Sequence, residues 1–356
     1  MPLLLTAKFV TLSLLLDTLL AFPGFPTHSL RADSTVTAPS DSTAVVDSGS
    51  AIVLRFGGDV LLAEHYEFGV GDSVSHAFRQ LDLLQTADVS MVNLETPVTT
   101  RGSRVEKPFN FRMKPRFLRA FTLAGIDIVN IANNHIHDYG PVGLFDTIRH
   151  LDSAGILHVG AGRNRKEAHK PVIVEAKGKR IGFLGYYGGG EAPAATRDSA
   201  GVARRDLPLI GKDINALRTK DSVDFIVVNL HWGVEKAEEP EPSQVRFARK
   251  VVDAGADAIV GHHPHVLQGI ECYKSAVIAY SLGNLVFGGN SRSSYDTGLL
   301  EIRLEQDTVL YRFNPVRVRE WAATELTGAE GDSVIQLVKH RSRMFPKTIF
   351  TTEEIR

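Results

Sequence analysis

The chain of 356 residues holds a single cysteine, Cys272. That excludes an internal disulfide and a thiolate metal cluster, so any metal must be held by His, Asp, Glu and Asn. An excess of charge of either sign is also missing: 40 Lys and Arg stand against 41 Asp and Glu. The balance supplies no electrostatic grip on nucleic acid or on an anionic membrane, and no nucleic-acid partner is expected. No internal repeat is found. The N-terminal apolar stretch, Phe9–Phe22 after Lys8, is broken by Asp17 and falls short of a comfortable membrane span. It has the length of a signal-peptide core, and Leu30 and Ala32 mark a cleavage point. Residues 1–32 are therefore expected to be a signal peptide or N-terminal anchor, and the protein to be exported: periplasmic, cell-surface or membrane-anchored. No cysteine follows the stretch, which excludes lipoprotein attachment. Residues 33–50, rich in Ser, Thr, Asp and Ala without periodicity, predict a disordered linker.

What is present is ordinary globular composition, 43% hydrophobic and 23% charged, ample for a large core. From residue 51 apolar strands alternate with longer helical segments, the pattern of an α/β layered domain. The spacing predicts helices over Val74–Gln85, Arg116–Ala124, Pro141–Ala154, Lys212–Thr219 and Gln244–Ala254, the last capped by Ser243. A hairpin is expected over residues 171–186, a flexible lid-like loop from Gly188 to Gly201, and a final antiparallel pair over residues 298–318. A peripheral helix is expected over residues 331–343, so that residues 321–356 form a helical C-terminal extension to a main domain of residues 51–320.

The richest stretch for chemistry is Asp257-Ala-Ile-Val-Gly-His-His-Pro-His265. A buried strand runs into a glycine turn and presents three imidazoles in four positions, fixed by Gly261 and Pro264. Four other strands end in the same manner. Ile52–Phe56 leads through Gly57-Gly58 to Asp59, and Val89–Val92 leads to Asn93-Leu94-Glu95. Asp127–Ile131 leads to Asn133, Asn134 and His135, and Val223–Leu230 leads to His231. Five strand ends each carrying a metal-competent side chain lie at the edge where open α/β sheets bind ligands. Carboxylates, an asparagine oxygen and imidazoles suit Mn, Fe or Zn, and there are enough for two ions. Two metals about 3.5–4 Å apart activate water and stabilise a phosphoester's leaving oxygen. Asp138 reads equally as a site residue or as the cap of the helix after it. The basic loop of residues 97–116 adds Lys107 and Arg112 as candidates for an anionic substrate group, with Asn133 and His262 beside the site.

In order along the chain, GGDV (57–60), NLE (93–95), FNFRMKP (109–115), GIDIVNIANNHIHDYG (125–140), NLHWGVE (229–235), GADAIVGHHPHVLQGIE (255–271) and YSLGNLVF (280–287) resemble the CapA family of poly-gamma-glutamate capsule biosynthesis proteins. The resemblance spans about residues 52–304. It implies the calcineurin-like metallophosphoesterase fold, a four-layer α/β/β/α sandwich. It also implies metal ligands at Asp59, Glu95, Asn134, His231, His263 and His265, and a catalytic histidine at His135. Leu61 stands where the phosphoesterase pattern has a first-site histidine, and Glu95 where it usually has Asp. The run Gly-His-His-Pro-His leaves His262 and His263 as alternative ligands. Two functions follow. One is an exported metal-dependent hydrolase acting on a phosphoester or on the polymer. The other is a non-catalytic component that holds an anionic polymer within an assembly with membrane capsule-synthase subunits.

Overall fold

The computed structural model describes residues 51–351; the expected signal segment and linker and the last five residues lie outside the described residues. Two sheets face each other. The first has eight strands in the order Ala322–Glu325, Val309–Arg319, Tyr295–Leu304, Ile52–Leu61, Val89–Leu94, Ile128–Asn130 and Leu157–Val159, with Asn284–Phe287 pairing parallel to the end of Ile52–Leu61. The second has six, in the order Ile270–Tyr273, Ala276–Ala279, Ala258–His262, Phe225–His231, Lys179–Tyr187 and Val172–Ala176. The central strands of each sheet run parallel, so their carboxyl ends share an edge.

Alternation along the strands sorts the side chains into layers. Ile52, Leu54, Phe56, Val89, Met91 and Ile128 of the first sheet pack on Ile181, Phe183, Phe225, Val227, Ala258 and Val260 of the second. The intervening residues face outward. Val92, Leu94 and Val129 meet Leu118, Phe121, Leu144, Ile148 and Leu151, which lie on the helices Leu118–Leu123 and Gly140–Ala154. Ile226, Val228 and Ile259 meet Ile210, Ile214 and Val251 on the helices Leu207–Thr219 and Pro242–Asp253. The result is the four-layer α/β/β/α sandwich that the resemblance implies. Among the described residues no helix is long and apolar enough to cross a membrane.

Several sequence expectations are corrected. Val74–Gln85 is not a helix but two irregular turns. Ala77, Phe78, Leu81 and Leu84 are buried at helical spacing, yet the backbone at Gln80 bridges Thr324, and Ala77 O accepts from Ala323 N. Pairing with an edge strand replaces the helix. The short helix His65–Val70 was not foreseen. Residues 322–325 form that edge strand, so the C-terminal segment starts as part of the first sheet rather than as a helical extension. The helix Gly328–Ser342 then packs Val334 and Val338 into the core between the sheets, which makes it structural rather than peripheral. Glu241, not Ser243, caps its helix, with Gln244 Oε1 accepting from Glu241 N at 3.0 Å. The segment from Gly188 to Gly201 is tied down by hydrogen bonds from Val202 N to Pro193 O and from Ala195 N to Val202 O.

Candidate metal centre

The inward face of each central strand is apolar until its last residues, where polar side chains take over. Phe225 and Val227 are followed at the same period by Asn229 and His231, and Ala258 and Val260 by His262. Val89 and Met91 give way to Asn93, and Ile128 to Asn130. A bulge after Phe56 delivers Asp59 to the same edge, with its N–H bonded to Gly283 O at 2.9 Å. The approach is so close that a Cβ on Gly58 would stand 1.9 Å from Gly283 O. Gly261 is under the same constraint, with Tyr280 O at 1.9 Å. After it the chain turns sharply, and His263 and His265 adopt φ values of 98° and 57°. Such left-handed backbone at non-glycine residues costs about 1–3 kcal/mol each and clusters at functional sites.

These strand ends bring six of the expected residues together. His231 Nε2 lies 2.8 Å from Asn134 Oδ1 and 3.6 Å from Glu95 Oε1. His265 Nε2 lies 3.7 Å from the same Glu95 Oε1, and its Nδ1 lies 3.3 Å from Asp59 Oδ2. The ligand atoms of Glu95, His231 and His263 lie within 4.8 Å of one another, as do those of Asp59, Glu95 and His265. Glu95 belongs to both groups and stands between them. The turn separates the neighbouring histidines. His263 joins the ligand group, whereas His262 is buried beneath it, with Nε2 3.4 Å from Asn229 Oδ1 and Nδ1 3.5 Å from Asp59 Oδ1.

The electrostatics fit a cation. Glu95 is fully buried, and its Oε1 has no hydrogen-bond partner. Burial, then the charges of Asp59, Glu235 and Asp138, push its carboxyl well above the ordinary range. No Lys or Arg pairs with Glu95 or Asp59 among the described residues. Burial alone would raise Asp59 too, but hydrogen bonds and charge from His262 and His265 hold it well below the usual carboxylate range. Burial drives His231 well down and His263 to about 4, leaving the neutral imidazoles that metals take. An orphaned buried carboxylate oxygen, a second carboxylate and neutral imidazoles are the donor set of a divalent cation.

His135 sits at the edge of this group. Its Nδ1 is 2.8 Å from Asp138 Oδ2, and its ring packs on Phe111 with centroids 4.4 Å apart. Burial lowers its pKa, against the charge of Asp138, so the ring is neutral near pH 7. Asp138 is not a helix cap; Tyr139 takes that position. Asp138 instead accepts from Phe111 N at 2.6 Å and pairs with Lys107 Nζ at 2.5 Å.

The four residues expected to meet substrate have different surroundings. Lys107 is inside the site, but its charge is matched by Asp138, and its Nζ also donates to Asn134 O at 2.8 Å. Asn133 is fully buried, with Nδ2 on Leu94 O at 2.8 Å and Oδ1 accepting from His135 N at 3.1 Å, bonds that shape the loop. His262 is likewise sealed from solvent. Arg112 alone of the four reaches open space, over the Tyr139 ring at 4.4 Å. Leu61 is fully buried in the apolar core under the helices.

Sequence reasoning missed an asparagine layer under the ligands. Asn93 Nδ2 donates to Asp59 Oδ1 at 2.9 Å and lies 3.4 Å from Glu95 Oε2 and 3.3 Å from His231 Nδ1. Asn130 Nδ2 in turn donates to Asn93 Oδ1 at 2.9 Å, and Asn284 Oδ1 meets His265 Nδ1 at 2.8 Å. Such partners fix ligand orientation. Their signal was present, since each of Asn93, Asn130 and Asn229 occupies an inward position of an otherwise apolar strand. Glu235, which can join His263 and His265 as a third acid, carried no such signal in its exposed loop.

A two-sheet α/β/β/α sandwich gathers carboxylates, an asparagine and imidazoles at one strand edge, which defines a layered α/β protein with a candidate divalent-metal centre. Residues 53–289 match the family described as bacterial capsule synthesis protein PGA_cap, and the chain belongs to that family. It is similar to the capsule biosynthesis protein CapA of Bacillus anthracis, 33% identical over 298 residues that cover 80% of this chain and 72% of that one. The PGA biosynthesis protein CapA of Bacillus subtilis is 30% identical over 284 residues, covering 77% and 73%. Among solved structures, an NAD nucleotidase of Haemophilus influenzae overlays with a TM-score of 0.45 at 13% identity, covering 83% of this chain and 56% of that one. The chain thus spans little more than half of that structure, and the layering above, not this overlay, defines the fold.

Proposed function

We propose that this protein is exported and acts in biosynthesis of a poly-gamma-glutamate type capsule through a divalent-metal-dependent hydrolase site of the phosphoesterase kind. The names of its two Bacillus relatives support the capsule role, and the apolar stretch Phe9–Phe22 supports export. The observation that carries the hydrolase reading is Glu95 Oε1, buried and unpartnered between His231 and His263 on one side and Asp59 and His265 on the other. Two cations, of Mn, Fe or Zn, are accounted for by that shared position. Asp59, Glu95 and His265 would hold one, and Glu95, Asn134, His231 and His263 the other. Bound there, such ions supply Lewis acidity and water activation.

The chain's own residues do the rest. Asp138 holds His135 by Nδ1, which leaves Nε2 as the nitrogen that gives or takes a proton at the reacting group. Lys107 and Phe111 fix Asp138 and the ring in turn. The substrate is an anionic polymer or phosphoester, and membrane capsule-synthase subunits are the expected partners. Leu61 favours a second reading, polymer holding without turnover, because it leaves the first metal one ligand short.

Elemental analysis of the full chain, with turnover of a chromogenic phosphodiester on the same samples, separates the two. Near-stoichiometric metal in the wild type, lost in His263→Ala, is expected. His135→Ala should keep the metal and lose about 10²–10⁴-fold in turnover. Wild-type protein that stays metal-free and inactive after incubation with Mn, Fe or Zn sinks the hydrolase reading and leaves polymer holding.

A further inference from the structure

We propose that Arg104, Arg112 and Tyr139 form a carboxylate-binding subsite next to the metal centre, which takes an acidic group of the polymer away from the reacting bond. It deepens the polymer reading given above and rests on it. A cavity of ≈ 330 Å³ is lined by Glu64, Glu67, Arg104, Arg112, Lys114 and Tyr139. Tyr139 is only 4% exposed and holds both arginines. Its ring lies under the Arg112 guanidinium at 4.4 Å, and its hydroxyl accepts from Arg104 Nε at 3.1 Å. One rigid phenol therefore fixes two planar forks, and less side-chain entropy is lost when a ligand binds.

The neighbouring cations are already matched. Lys114 pairs with Glu67, and Arg116 Nη2 lies 2.8 Å from Glu67 Oε1. Arg101 pairs with Asp146 at 2.6 Å. Arg104 and Arg112 have no carboxylate partner among the described residues. The cavity's three cations against two carboxylates leave a single positive charge. That suits a monoanionic carboxylate better than a phosphate group carrying about −1.5 to −2.

Position ties the cavity to the chemistry. Arg112 directly follows Phe111, and Tyr139 directly follows Asp138, the two residues that clamp His135. The wall also carries Phe68, 92% exposed, an apolar surface for the methylenes between successive carboxylates of a polyacid.

The test uses full-length protein, a short labelled γ-glutamyl oligomer, its carboxamide counterpart and polyphosphate of matched length. The wild type should bind the acid oligomer and discriminate against the carboxamide. The Arg104→Gln, Arg112→Gln double variant should bind the acid oligomer at least about tenfold more weakly, with unchanged metal content. Arg104→Gln alone, at an exposed position, should show part of that loss and guards against misfolding of the double variant. Three results overturn the proposal: no acid-over-amide preference in the wild type, binding by the double variant within about twofold of wild type, or arginine dependence seen with polyphosphate only. Metal-free, inactive protein that still binds the acid oligomer through these arginines would discard the hydrolase reading and keep the subsite.

Discussion

Glu95 and Asp146 are both buried carboxylates, but they are balanced in different ways. Asp146 takes two bonds from Arg101, at 2.6 and 3.0 Å, a third from Arg149 at 3.0 Å and a fourth from the Thr99 hydroxyl at 2.6 Å. Its charge is matched within the protein, and the Arg101 hydrogen bond, with the others, lowers its pKa to about 2. Glu95 has one long bond from Asn93, an orphaned Oε1 and a carboxyl pushed far up by burial. Between them stands Asp138, buried with Lys107 and His135. A protein that hides an acid for structural reasons provides the cation; one that leaves it unmatched beside the neutral rings of His231 and His263 leaves the charge to be supplied from outside.

The strongest way to break this contrast is to neutralise the unmatched acid. Glu95→Gln should abolish metal binding and cut phosphodiester turnover by about 10³-fold, yet leave the metal-free protein as stable as wild type or more so. Denaturant melts of both proteins after chelation check the second half, and marked destabilisation of the metal-free variant would count against the contrast. Asp138→Asn should behave oppositely. It strands the Lys107 cation in a nearly closed site, at a cost of about 3 kcal/mol in unfolding free energy, with metal content retained.

The smallest effect is at Asp146. Its folded value of about 2 lies below the unfolded value near 3.9, so it contributes stability above about pH 4 that is lost as pH falls toward 2. With Arg101 60% exposed, solvent screening keeps the gain small. Unfolding free energies of wild type and Arg101→Met, measured between those limits, should converge at the acid end. Curves that stay parallel would show that the matching is not electrostatic.

Much of the centre was legible because strand ends are legible. An apolar run stopped by Asp59, Glu95, Asn134 or His231 needs only period-two alternation and the carboxyl-edge rule. Which of His262 and His263 faces the other candidate ligands was not, since it depends on a left-handed turn at His263 that no local pattern announces. Asn93, Asn130 and Asn229 could have been found by following the alternation to its end. The false helix over Val74–Gln85 came from a real helical spacing of buried residues, overridden by pairing with a strand some 240 positions later. That Lys107 faces Asp138 is not legible either, because the two lie on different loops 31 positions apart.

The candidate ligands are divided between the sheets: Asp59, Glu95 and Asn134 lie in or just after strands of the first, His231, His263 and His265 in or just after strands of the second. In folding terms the centre cannot assemble early. Asp59 and His263, in hydrogen-bond contact, are separated by 204 residues and belong to different sheets, so that contact needs the two sheets docked. A cation loaded there would act as a clasp across the seam, present in the docked state and absent before it. Metal would then slow the parting of the sheets much more than it speeds their meeting.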